Sequence, residues 1–377
     1  MVDDGTPLIA HIPGQELPPE DVIVRPPRQR GLLERAVYLV LGLGLFVTAL
    51  GLMKSGATAL VPTLEGSVFT DNAWSTLGLG WLGACVVLSG SPVAASALSL
   101  LDGGAITRTE AFTMLTGSRL GAAFVVVVVG VVYALRNQGG GGGRRAPISI
   151  GILSLLMTTI AYVPAAVAGY LLLDRGTFDN FNIGTSPGLT SLTDTLFGWA
   201  VDIARDALPG WALFPVGVVV LLAGFQLFDR VMPAVGSEQL EHREDAWHTR
   251  KWPMFLAGCG VTMLTLSVSV SLTLLVPLVA KGYLRRANTL PYIAGANITT
   301  LVDTLVAAIL LGNQDAVRVV VAVTLAVSVW TISLLALVYP LLRRLCLGLA
   351  RRAVHSPSRL AAFAVVLFGV PVVLIAV

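Results

Sequence analysis

The sequence predicts an all-α polytopic membrane protein: two inverted repeats carrying about seven transmembrane helices and two re-entrant helical hairpins. Composition, run length and self-similarity predict it. Of 377 residues, 55% are hydrophobic and 12% charged, with mean hydropathy +0.80. A soluble domain carries about 25% charged residues. Several apolar runs reach the roughly 20 residues a helix needs to cross a bilayer. They are continuous and rich in Leu, Ala and Val, whereas a membrane β-barrel alternates apolar and polar residues in runs of about ten. The lipid bilayer is the first partner expected, and nucleic acid is not one.

The elements follow in chain order. Residues 1–30 are polar and proline-rich ("PGQELPPEDVIVRPPRQR"), with no apolar core before a cleavage site, and are expected to be a disordered cytoplasmic tail. The first membrane repeat covers 31–173, with crossings at 32–53, 110–135 and 148–173 and a hairpin at 74–101. An external loop is expected at 174–210. The second repeat covers 211–342, with crossings at 211–229, 289–311 and 316–342 and a hairpin at 254–280. Residues 343–377 form a basic loop and an extra transmembrane helix at 359–376. The two hairpin segments are apolar but broken, by "LSGSP" and by "LSVSVS". Their halves are too short to span, and non-helical backbone at membrane depth needs a surround of protein or a wet cavity.

With both hairpins returning to their own side, the Lys and Arg residues divide unequally. Nineteen fall on the N-terminal side and five on the other, with Arg119 at a helix start. That bias places the N-terminus in the cytoplasm and, after seven crossings, the C-terminus outside a cell (inner) membrane. The glycine run at 139–143 then falls inside, and the Asp-rich 174–210 segment outside.

Set against itself, the chain aligns without a gap at an offset of 178. Leu88 meets Leu266, Ser89 meets Ser267, Ser91 meets Ser269, Gly117 meets Gly295 and Arg119 meets Asn297. Each unit holds a crossing, a hairpin and two crossings. Three crossings is an odd number, so the second unit is inserted upside down. Inverted repeats around broken helices are the architecture of secondary transporters.

The run "LPYIAGANITTLVDTLVAAIL" places amide, hydroxyl and carboxylate groups at the head of a membrane helix. Half-helix N-termini present partial positive charge to an anion, and unwound carbonyls bind cations. Ser89, Ser91, Ser267 and Ser269 are expected to line the two hairpin tips, and Asn297, Thr299 and Thr300 add oxygen ligands. Small hydroxyl residues also serve simple helix packing. Arg119 and Asp303 are ionisable groups in apolar helices, which are costly and mark function by default. They come from opposite repeats and are expected to pair near the axis between them, although Arg119 lies close enough to a helix end to snorkel outward. Arg119 has three open roles: binding an anion, standing in for a sodium ion, or neutralising Asp303.

With "GANITT" at 295–300 and "GLFVTALGLMKSGATAL" at 44–60, the chain resembles the type II sodium–phosphate cotransporter family from about 31 to 342. That family carries Gln-Ser-Ser-Ser at each hairpin and a helix opening Gly-Ala-Asn-Ile-Gly-Thr-Thr. Here Leu88 and Leu266 stand where the family has Gln, and Arg119 stands where Asn is usual. The resemblance implies uptake of phosphate or a related small inorganic anion, with sodium as the candidate coupling ion and no other cofactor. The alternative is a non-transporting scaffold or regulatory protein on the same fold. No enzyme is expected. His11, His242, His248 and His355 lack metal-ligand spacing, and Cys85, Cys259 and Cys346 read as core residues.

Overall fold

The computed structural model describes residues 32–64, 67, 72–136, 145–179, 187–231, 250–280, 284–355 and 357–377. The N-terminal tail and the glycine run lie outside the described residues. Those described form helices and turns, with no strand. Seven segments are long and apolar enough to cross a membrane: 36–64, 108–135, 146–174, 210–227, 286–311, 314–337 and 358–376. Each overlaps one expected crossing.

Five crossings are continuous over most of their length: α1 (Leu32–Leu64), α6 (Arg145–Asp174), α8 (Gly210–Val231), α14 (Gln314–Leu337) and α16 (Pro357–Ala376). Two others are composite. One joins α4 (Arg108–Ala122) to α5 (Phe124–Arg136) at Ala123. The other runs from a 3-10 turn at Arg286–Asn288 through α12 (Thr289–Thr299) to α13 (Leu301–Leu311), joined at Thr300. The polar sextet 295–300 is therefore not a helix head, as expected from sequence. Its first five residues end α12, and its last, Thr300, is the joint in the middle of a crossing.

The first hairpin segment is α2 (Ala73–Val87) and α3 (Gly90–Asp102). The second is α9 (Lys251–Thr265) with α10 (Val268–Thr273) and α11 (Leu275–Ala280). Adding 178 to α2 gives the bounds of α9, and adding it to α3 gives the span of α10 and α11 together.

The side chains show where each pair starts and ends. The Thr76 hydroxyl is 2.7 Å from that of Thr113, near the N-terminus of α4. Asp102, at the end of α3, accepts from Asn313, the N-cap of α14, at 2.8 Å and pairs with Lys54 at 2.8 Å. Both ends of α2–α3 thus lie where α4 and α14 begin. On the second pair, Lys251 donates to the Leu335 carbonyl at 3.0 Å, near the end of α14. After α11 the chain reaches Ala287, which accepts from Tyr339 at 3.3 Å. Its ends therefore lie at the opposite end of α14.

Close backbone approach holds each pair to its neighbour. A Cβ at Gly80 would strike the Met114 carbonyl oxygen, and one at Gly117 the Leu77 carbonyl oxygen. At the equivalent positions, a Cβ on Gly258 would strike the Tyr292 oxygen and one on Gly295 the Phe255 oxygen. Small residues let membrane helices approach in this way. The main core lies between α1, α3, α4, α6, α8, α13 and α14, and a second one gathers α9 to α12 on α5 and α6.

Two regions read as loops are helices. Within 174–210, α7 (Pro187–Ala207) packs along α1, with Phe197 against Gly44 and Val201 against Gly51. The basic segment after 342 belongs to α15 (Tyr339–His355), which leads into α16 (Pro357–Ala376). Amphipathic periodicity explains both: one apolar stripe per helix is enough to fold it against the bundle.

Gly117→Ala and Gly295→Ala should each lower the protein's stability by about 1–3 kcal/mol, the usual cost of overpacking. Gly260→Ala, where a Cβ meets nothing within 4 Å, should be neutral or slightly stabilising. Thermal unfolding in detergent, followed by circular dichroism, checks this; equal behaviour of the three variants would refute the packing role.

Candidate functional site

The site is built from the two helix breaks, at Leu88 and Leu266, and the two composite crossings. Among the described residues, Leu88 (φ 57°) and Leu266 (φ 45°) are the non-glycine residues in the left-handed region. They lie 178 residues apart, the offset at which the chain aligns with itself. This conformation costs an L-residue roughly 1–2 kcal/mol and persists only when the surroundings hold it. At the first tip it ends α2, and the next N–H, that of Ser89, turns back to the Ala84 carbonyl at 3.2 Å.

The serines divide by role. Ser89 is the N-cap of α3, half-buried, with no capping bond from its side chain. Ser91 is buried in the first turn. Ser267 caps α10, its hydroxyl accepting from the Val270 N–H at 3.3 Å. Ser269 donates to the Leu88 carbonyl at 3.5 Å, so the tips of the two pairs touch. The first tip also lies close to Arg119: a Cβ on Gly90 would come within 2.8 Å of the Ser118 carbonyl oxygen.

Arg119 projects from α4 and is 2% exposed, which excludes the snorkelling alternative. Asp303, in the first turn of α13, is 7% exposed. Arg119 Nη2 lies 3.6 Å from Asp303 Oδ1, within the expected salt-bridge reach. Arg119 Nη1 donates to the Thr300 hydroxyl at 3.0 Å, and Nη2 also donates to the Thr304 hydroxyl. Thr304 in turn donates to Asp303 Oδ1 at 2.9 Å. Within this cluster two buried polar atoms have no hydrogen-bond partner, Arg119 Nε and Asp303 Oδ2, among nine such atoms in the described residues. Such atoms are rare in folded proteins and each calls for an explanation.

Asn297 and Thr299 face elsewhere. The Asn297 amide nitrogen donates to Thr158 of α6 at 3.0 Å, and its backbone carbonyl accepts from the Tyr162 hydroxyl at 2.7 Å. Thr299 donates to the Gly295 carbonyl at 3.0 Å, within its own helix. The structure therefore brings Arg119, Thr300 and Asp303 into one cluster, and puts Asn297 in a second with Thr158 and Tyr162. Sequence reasoning missed Thr304, Thr158 and Tyr162. Their signal was spacing: Thr300 with Thr304, and Thr158 with Tyr162, are four residues apart and share a helix face.

Breaking the pair from one side leaves a buried charge without its partner, which typically costs about 3–5 kcal/mol. Asp303→Asn alone should destabilise the protein on this scale. Arg119→Gln combined with Asp303→Asn should recover much of the loss, as read by a double-mutant cycle of thermal unfolding. Additive losses would show that the two charges are not coupled.

Comparison with known proteins adds one finding. The comparison with curated proteins gave no match, nor did that with solved structures. Residues 220–376, from within α8 to the end of α16, match the family model described as Na+/Pi-cotransporter. That match supports the Na+/Pi-cotransporter family, a family of transporters and not of enzymes.

Proposed function

We propose that the chain is a secondary active transporter moving phosphate or a related small oxyanion by alternating access between two inverted repeats. The observation that carries this reading is the buried Arg119–Asp303 pair, which leaves one donor and one acceptor unpartnered. Arg119 Nε–H can donate to an oxyanion oxygen. Asp303 Oδ2 can accept from an oxyanion that still carries a proton. Phosphate is protonated near neutral pH and sulfate is not, so the pair favours phosphate. Opening one repeat against the other is the step that would expose these atoms to the ligand. The meeting of the hairpin tips beside Arg119, and the family match, support the same site.

Arg119 stands at the position of Asn297 in the other repeat, and it brings a permanent positive charge. A cation bound there would be repelled. Sodium coupling, if present, is therefore carried by other oxygen ligands, and transport should depend weakly on sodium. The hydrogen bond that each Nη atom of Arg119 makes within the protein favours a second reading, an inert pair in a scaffold protein.

Uptake of radiolabelled phosphate by proteoliposomes separates the two. The transporter reading expects phosphate accumulation that excess sulfate competes poorly, that falls by at least about tenfold in Asp303→Asn, and that changes little when sodium is replaced by potassium. No uptake under any ion gradient would leave the scaffold reading. A steep sodium dependence would overturn only the role given to Arg119.

The orientation is proposed on the same footing: N-terminus cytoplasmic, C-terminus external. Thr177→Cys, at an exposed turn after α6, should react with an impermeant thiol reagent in intact cells. Gly348→Cys, in α15, should react only after permeabilisation. The reverse pattern would invert the topology.

A further inference from the structure

Helix α15 joins two crossings, 314–337 and 358–376, so it lies at one membrane surface. It packs on α6, α16 and the 3-10 turn before α12. Leu342, Cys346 and Ala350 form its buried face. The adjoining face is apolar yet exposed, formed by Leu341 (57%), Leu345 (52%) and Leu349 (45%). Both stripes repeat every four residues, so together they cover a broad apolar arc. Arg343, Arg344, Arg351 and Arg352 are exposed, with Arg344 and Arg351 on the side opposite that arc. Arg285, Arg286 and Arg359, at the neighbouring ends of the 3-10 turn and α16, are exposed as well. Among the described residues none of these arginines is in an ion pair.

An exposed apolar stripe beside unpaired guanidinium groups, held at a membrane surface, fits one occupant by hydrophobicity and by charge. We propose that α15 is an interfacial helix that binds anionic phospholipid headgroups. Leu341, Leu345 and Leu349 enter the acyl boundary, and Arg343, Arg344, Arg351 and Arg352 hold lipid phosphates. Guanidinium groups bind phosphate through paired N–H donors, which gives such a site more than general attraction to a negative surface. The site is distinct from the Arg119 cluster and does not rest on the transport reading.

Native mass spectrometry of the full chain in detergent, titrated with phosphatidylglycerol or phosphatidylcholine of matched acyl chains, tests this. The wild type should hold phosphatidylglycerol about tenfold or more tightly than phosphatidylcholine. R343Q/R344Q/R351Q/R352Q should bring the two lipids close to equal, and the matching lysine variant should retain most of the preference. Millimolar inorganic phosphate should not displace the lipid. Equal binding of both lipids by the wild type, or a preference unchanged in the glutamine variant, would overturn the proposal. So would displacement by inorganic phosphate. Should the glutamine variant not fold, hydrogen exchange of wild-type 339–355 in nanodiscs decides. Slower exchange in phosphatidylglycerol than in phosphatidylcholine supports the site, and equal exchange refutes it.

Discussion

Inside a bilayer no water takes the hydrogen bond of a peptide group that leaves its helix. The rest of this structure is arranged around two places where the backbone does leave it, Leu88 and Leu266. Each sits in a conformation that leucine adopts at a cost. Glycines let α2 and α4 touch backbone to backbone, and glycines at equivalent positions do the same for α9 and α12. Leu88 itself stays 40% exposed and Leu266 half-buried, and the two tips meet through Ser269 and the Leu88 carbonyl.

The buried ion pair depends on that arrangement. A charged side chain at membrane depth is sustained by a partner and by hydrogen bonds. Arg119 has both, because the joint at Thr300 sets Thr300, Asp303 and Thr304 along one side of a crossing. Arg119 lies on α4 and Asp303 on α13, two segments far apart in the chain, so any motion of one against the other acts on the pair. Asn297, which the offset of 178 sets against Arg119, has a different partner set. Thr158 and Tyr162 on α6 reach it instead.

At the periphery the same solvent boundary gives amphipathic helices. In α7 an apolar stripe packs against Gly44 and Gly51 of α1, while Arg205 bonds Ser55. In α15 Leu342, Cys346 and Ala350 face the bundle, and Arg344 and Arg351 lie on the opposite side. A linear reading of charge density calls both segments loops, because average polarity hides a stripe that only helical geometry reveals.

The sequence by itself determined the number and order of the crossings, the two broken segments and the offset of 178 that relates them. These are legible because hydrophobic run length and the apolar cost of a charge act locally along the chain. It also singled out Arg119 and Asp303, since a charge in an apolar run stands out without any coordinates. Tertiary structure alone decided which polar groups meet. It gave Thr300 and Thr304 to Arg119, sent Asn297 to Thr158, turned the Ser267 hydroxyl to its own helix end and placed the polar sextet 295–300 in mid-crossing. The physical reason is that a hydroxyl or amide in a membrane helix binds whatever donor or acceptor the neighbouring helix brings within about 3 Å. That neighbour is set by packing between segments far apart in the chain.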